Sequence, residues 1–173
     1  MNTANFKTYL SRIFIVVTGF LASPMVQAAA GIAVLDFELN DITSLPNTPA
    51  ELTRTASFRP LLEQALTDNG AYKIISIDTQ AKNRENAGFG YLFKFEDVAA
   101  KLGKQFAADW VIVSQHSKPS FLYSHLMVHL IKVGTQTLAA SYDIELKGNH
   151  EKVSQRGINA VAKQIHASIA AYQ

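Results

Sequence analysis

Tyr123-Ser124-His125-Leu126-Met127-Val128-His129-Leu130-Ile131-Lys132-Val133, followed by Gly134-Thr135, decides the fold. Across Ser120 to Val133 the residue types alternate. Leu122, Leu126, Val128 and Leu130 fall on one side; Tyr123, His125, Met127, His129 and Ile131 fall on the other. A period of two is that of a β-strand, and Gly134-Thr135 supplies the reversal. On the return, Leu138, Ala140, Tyr142, Ile144 and Leu146 share a face opposite Thr137, Ser141, Asp143, Glu145 and Lys147. That is an antiparallel hairpin with one buried and one wet face.

Gly148-Asn149 ends the hairpin and caps a last helix, whose buried stripe is Val153, Ile158, Val161, Ile165, Ile169 and Tyr172. Upstream, Trp110-Val111-Ile112-Val113 is continuously apolar, which predicts a central strand. Val98, Leu102 and Phe106 recur at helical spacing just before it. Gly31 to Leu39 reads as a first strand, with Ala33, Leu35, Phe37 and Leu39 facing one way. Asn40 to Pro49 reads as a loop. Leu61, Leu62, Ala65 and Leu66 predict a helix with Pro60 in its first turn, Ser57 as cap and Asn69-Gly70 as stop. Tyr72 to Ile77 is a short strand, and Asp78 to Gly90 a polar surface loop. The expected architecture is α/β (α+β): a single mixed sheet of about five strands in the order β-α-β-α-β-β-β-α, with helices packed on it.

The N-terminus carries a different signal. Lys7 and Arg12 precede the apolar run Ile13 to Ala22, then Pro24 and the small residues around Ala28-Ala29-Ala30. This order is that of a secretory signal peptide, residues 1–28, cut after Ala28. The run is shorter than the roughly 20 residues of a membrane span. Residues 29–173 are then one exported domain with no transmembrane span, and the expected compartment is a Gram-negative periplasm. The chain has 16 Lys+Arg against 14 Asp+Glu, and Lys7 with Arg12 account for the whole excess. A neutral domain has no electrostatic footprint for nucleic acid. The absence of cysteine excludes thiol catalysis, thiolate metal sites, disulfides and a lipid-modified cysteine at the cut.

Ile32-Ala33-Val34-Leu35-Asp36-Phe37, Ala108-Asp109-Trp110-Val111-Ile112-Val113 and the hairpin at Gly134 resemble the N-terminal domain of TolB and the CsgG-like and LpoB-like envelope domains. There a "V-x-D-F" strand opens the sheet and a "G-A-D-Y/W-V-V-x-G" stretch leads into its centre. More closely, Asp36 to Asp41, Asp143 to Asn149 and Arg156-Gly157 resemble an uncharacterised secreted proteobacterial family of unknown function. The chain departs from the wider group at Ala107 and Ser114, where that group has Gly, and in its long 78–95 insertion. What the resemblance implies is binding or assembly in the cell envelope, with no enzymatic turnover.

Three constellations are candidate sites. Asp36, Glu38 and Asp41 gather where the first strand ends; Asp36 and Glu38, two apart, would share a face at about 7 Å. They form an acidic ligand edge, suited to a cation or to acid/base work, or else simply solvate a loop. His125, Met127 and His129 lie along one strand face, a soft set that suits copper. The two imidazoles would be about 13 Å apart and could not chelate one ion alone. Tyr123, Met127 and Ile131, with Tyr91 and Phe93 of the aromatic series 89–95 beside them, form a candidate partner-binding surface. No catalytic motif or cofactor fingerprint is present. The expectation is a non-enzymatic module for another periplasmic or envelope protein. The alternatives are a small-ligand or copper-binding protein using His125, Met127 and His129 and, behind it, a hydrolase acting through Asp36 and Glu38.

Overall fold

The computed structural model describes residues 29–68 and 72–172. The signal peptide expected at 1–28 and the helix stop expected at Asn69-Gly70 lie outside the described residues. Among the described residues six strands form one mixed sheet, and five helices pack on it. The strands are β1 (Ala30–Val34), β2 (Glu38–Asp41), β3 (Tyr72–Ile74), β4 (Trp110–Lys118), β5 (Tyr123–Lys132) and β6 (Thr137–Lys147). Their order is β3-β1-β4-β5-β6, with β2 beside the second half of β4. β1 to β4 run parallel; β5 and β6 are antiparallel, as their alternation predicts.

β4 is central and buried on both faces. Trp110 and Ile112 enter one core with Leu126, Val128 and Leu130 of β5; Val111 and Val113 enter the other with Ile131. The first core is closed by α1 (Pro49–Thr67), through Phe58, Leu62 and Leu66, and by α5 (His150–Ala170), through Val153, Ile158, Val161, Ile165 and Ile169. The second is closed by α2 (Thr79–Glu85), α3 (Tyr91–Lys94) and α4 (Glu96–Gln105), which bring Ala81, Leu92, Ala99 and Leu102. The sheet is therefore sandwiched between two helical layers.

Three expectations are corrected. The first strand is two strands: Val34 pairs with Ile112 and Glu38 with Gln115, so four steps on one strand match three on β4. The extra residue flips the alternation, and Phe37 joins the α1/α5 core while Leu35 stays in the other. α1 starts well before Pro60, with Thr48 as N-cap and Pro49 in its first turn, and Pro60 lies inside the helix. The segment read as a loop over 78–90 contains α2, capped by the Asp78 carboxylate on the Gln80 amide. Within the aromatic series 89–95, residues Tyr91–Lys94 form α3.

The Ala108-Asp109 pair acts as a clasp. The Asp109 carboxylate accepts the Gly31 amide at 2.7 Å, and the Asp109 amide donates to the Gly31 carbonyl at 2.8 Å. This holds the starts of β1 and β4 in register.

Candidate functional site

The acidic trio is dispersed by the shift after Val34. Asp36 accepts Lys82 of α2 at 2.6 Å and Arg59 of α1 at 3.1 Å, tying the two helical layers together across the sheet edge. Burial pushes its carboxyl up, but the bonds and charges of Lys82 and Arg59 outweigh this and hold it below the usual range. Glu38 turns to the α2–α4 face and accepts the Gly90 amide at 2.7 Å. Asp41 pairs with Lys118 across the opposite face and closes the next turn, accepting from Thr43 and Asn47. Three carboxylates have three different employments, and they form no shared ligand site.

The histidine face is also divided. His125 bonds Asp143 of β6 at 2.7 Å. His129 lies under Phe93, with ring centroids 3.8 Å apart and nearly parallel. Burial lowers its pKa, against the Glu96 charge and a bond to the Phe93 backbone. Among the described residues no group of three or more His, Cys, Asp or Glu could hold a metal ion. The partner surface is corrected too. Ile131 is 0% exposed, inside the α2–α4 core, and Tyr91 and Phe93 pack onto that core. Tyr123 remains exposed, and Met127 half-buried.

What sequence reasoning missed is a buried polar network between α1, α5 and the last turns of β4. His116 is 0% exposed. Its Nδ1 is 2.7 Å from the Thr55 hydroxyl and its Nε2 is 2.9 Å from the Ser124 hydroxyl. Thr55 donates its single proton to the Glu51 carbonyl at 2.8 Å. Nδ1 must therefore carry the imidazole proton, and Ser124 donates to Nε2. Both nitrogens of a neutral ring are satisfied. Burial first, and the Arg54 charge second, depress its pKa to about 4. A ring sealed in this way reaches no substrate.

Beside it lies a closed set of charges. Lys118 donates to Glu51 at 3.0 Å; Arg54 reaches Glu51 at 3.5 Å and donates through Nε to Ser154 of α5 at 3.0 Å. Burial pushes the Glu51 carboxyl up, but the bond from Lys118 and the positive neighbours pull it below its ordinary value. Charges removed from water persist only when paired and bonded, and these fix how α1 sits against α5 and the sheet.

The network roofs one end of the molecule, where β2 and β4 finish and β5, α1 and α5 begin. That end carries a concentration of exposed apolar side chains: Ile42, Leu45, Leu52, Phe121, Leu122 and Tyr123, between 39% and 78% exposed. The Ile42 amide donates to the Lys118 carbonyl, and Lys118 Nζ stands 5.4 Å from the centre of the Phe121 ring, so the two loops are neighbours.

A mixed sheet between two helical layers, with a sealed polar network and an apolar end, defines a small α/β module. The chain belongs to the family DUF3280, described as "Protein of unknown function (DUF2380)", which it matches over residues 30–165. None of the curated proteins matches it. Solved structures share the fold. TolB from Acinetobacter baumannii is 16% identical with a TM-score of 0.53, over 83% of this chain and 29% of that one. Lipoprotein GNA1162 from Neisseria meningitidis is 14% identical with a TM-score of 0.52, over 79% and 96%. LpoB from E. coli is 20% identical with a TM-score of 0.49; this chain spans 57% of it, with 68% of its own length aligned. The expected resemblance to TolB-like domains thus holds at the level of the fold. Among the described residues no helix is long and apolar enough to cross a membrane.

Proposed function

We propose that the chain is an exported, non-catalytic binding module that docks another protein of the cell envelope through the apolar end formed by Ile42, Leu45, Leu52, Phe121, Leu122 and Tyr123. The observation that carries this reading is the presence of six large exposed apolar side chains on two loops and on the first residues of α1 and β5 that follow them, while His116, Thr55, Ser124, Lys118 and Glu51 beneath them are bonded to one another. Soluble domains keep contiguous exposed apolar surface small unless it is covered in use. Large aromatic and aliphatic side chains are what interface centres bury. The leader-like order of residues 1–30 supports export to the periplasm, and a similar fold in a lipoprotein supports an envelope setting.

The test has two arms. Mass spectrometry of the native protein is expected to find Ala29, or a residue within about two of it, as the N-terminus. A photo-reactive amino acid placed at Phe121 or Leu45 is expected to cross-link one envelope protein in living cells, whereas the same probe at exposed Lys163 is not. Phe121→Ala with Leu122→Ala should abolish a cross-link from position 45 without lowering Tm. Equal labelling from 45, 121 and 163 would overturn the docking surface, and an intact Met1 would overturn export.

A further inference from the structure

The sheet has a long open edge that the apolar end does not use. In the order β3-β1-β4-β5-β6, β6 comes last, so one of its sides has no neighbour among the described residues. The other open edges are short, three residues in β3 and four in β2, whereas β6 runs for eleven. Proteins usually keep edge strands short, because an unpaired row of N–H and C=O groups is a template for another strand. A register shift at Leu130/Ile131 leaves Ala139 without a partner on β5, and Ala140 to Lys147 then continue in regular register. In such a run every second residue turns its amide and carbonyl outward, roughly four of the eight.

The side chains beside that edge form two unlike rows, because successive residues of a strand point to opposite faces. Ala140, Tyr142 and Ile144 are half-buried and packed against the α1/α5 core, with the Tyr142 hydroxyl tied to Ser168 of α5 at 2.7 Å. Ser141, Asp143 and Glu145 are exposed on the opposite face, and Lys147 ends their row. Asp143 bonds His125 yet keeps 60% of its side chain exposed. A strand laid along β6 would stand about 4.8 Å away, its side chains falling alternately beside the apolar row and beside the acidic one. Basic residues on one face and aliphatic residues on the other complement both rows. A second copy of this chain does not. Two β6 strands related by a two-fold axis pair most of Ala140 to Lys147 only when centred on Asp143 or Ile144, and both registers set acid opposite acid, which is destabilising.

We propose that the open edge of β6 takes up an extended segment of another protein as a further strand, a segment in which basic residues alternate with aliphatic ones. Main-chain hydrogen bonds supply the affinity and the two side-chain rows the selection. The edge is a second docking surface, independent of the apolar end.

The experiment follows the backbone amides of the ¹⁵N-labelled full chain. Two end-blocked peptides of about eight residues are titrated separately, one alternating lysine with valine and one alternating glutamate with valine. The lysine peptide is expected to give saturable shifts along 140–147 and to slow hydrogen exchange at alternate amides of β6. The glutamate peptide should bind at least about tenfold more weakly. Asp143→Lys with Glu145→Lys, both at exposed positions, should reverse that preference. Asp143→Asn with Glu145→Gln should abolish it, and serves alone if the reversed variant does not fold. Phe121→Ala with Leu122→Ala should leave the peptide titration unchanged, which separates this edge from the apolar end. Shifts that fail to saturate, or equal binding of the two peptides, would overturn the proposal. So would shifts without slowed exchange in β6, the mark of charge attraction with no added strand. Exchange slowed by protein concentration alone would replace the foreign segment with a second copy.

Discussion

The two faces of the sheet are closed by different means. On one, α1 and α5 span 19 and 21 residues and bury a continuous apolar stripe together with a histidine, an ion cluster and their hydroxyl partners. On the other, α2, α3 and α4 span seven, four and ten residues and bury mostly alanine, leucine and valine, with Phe93 laid flat on His129. One layer is long, anchored and electrostatically specified. The other is a patchwork of short pieces that reaches β6 only through α4 and leaves Ser141, Asp143 and Glu145 exposed. The exposed apolar side chains at the end where α1 and β5 begin, and the open groove between α1 and α5, both adjoin the first layer. Exposed apolar surface and buried polar specification therefore sit together, as expected where a rigid scaffold must hold exposed groups in place.

The largest expected effect breaks the two layers apart energetically. Leu126 lies under α5, where Gly157 has no side chain because a Cβ there would meet Leu146 and Leu126. Leu126→Ala should cost roughly 3–5 kcal/mol, since neither long helix can shift to fill the space. Leu92→Ala, in the four-residue α3, should cost roughly 2–3 kcal/mol because a short element collapses onto the gap. Urea melts of both variants measure the difference. Equal losses would mean that the short helices are held as firmly as the long ones.

A second test uses protons. His116 titrates near 4 in the folded chain and near 6.5 when unfolded. A depressed imidazole leaves the unfolded state holding more protons between those values. Its contribution is complete above pH 6.5 and falls away as pH drops toward 4, by up to roughly 3 kcal/mol. Asp36, Asp41 and Glu51 are held below their ordinary values, so their contributions fade in a lower window. His116→Gln should flatten stability against pH between 6.5 and 4. His129→Gln, at a less buried ring on the other face, should flatten it less. Identical profiles for the two variants would remove the electrostatic distinction between the faces.

The same contrast separates what the chain announces from what it hides. The β5–β6 hairpin, the central strand and α5 were legible because long elements repeat their period many times. α2 and α3 were not: within seven and four residues only Ala81 and Leu92 are buried, too few to establish a period. α1 was half legible. Its buried stripe runs Glu51, Thr55, Phe58, Leu62, Leu66, at helical spacing throughout, but its first two members are polar. That polar start was the available signal for the network. Its other half was out of reach, because β4 is buried on both faces and nothing local says that His116 will meet Thr55 and Ser124. The separation of Asp36, Glu38 and Asp41 depends on one extra residue in a parallel pairing, which composition does not encode.

Ser114 gives a smaller effect on the anchored face. It is fully buried on β4, at one of the two positions where the TolB-like pattern has Gly, and its hydroxyl has no partner among the described residues. Ser114→Ala keeps the backbone preference and removes a buried, unsatisfied group, so it should stabilise by roughly 1 kcal/mol. Unchanged or lower stability would show that the hydroxyl is bonded in solution and that this core is wetter than its packing suggests.

The smallest effect tests the patchwork face at its seam. Ala107 is the other departure from that pattern, and its φ is 55°, in the left-handed region. The bonds around it explain why. The Ala108 amide donates to the Gly103 carbonyl at 3.1 Å and the Ala107 amide to the Lys104 carbonyl at 3.2 Å, the paired bonds of a Schellman ending for α4. Such an ending places its C′ residue in the left-handed region, where glycine has no penalty and a Cβ costs about 1–2 kcal/mol. Glycine gives part of that back, about 0.5–1 kcal/mol, through the freedom it loses on folding. Ala107→Gly should therefore raise stability by only about 0.5 kcal/mol, or Tm by about 1–2 °C in a domain of this size. Ala107→Val should lower it by more, because a branched side chain tolerates that conformation worst. If glycine and valine move Tm in the same direction, α4 does not end in this turn, and the junction between the short helices and β4 is built differently.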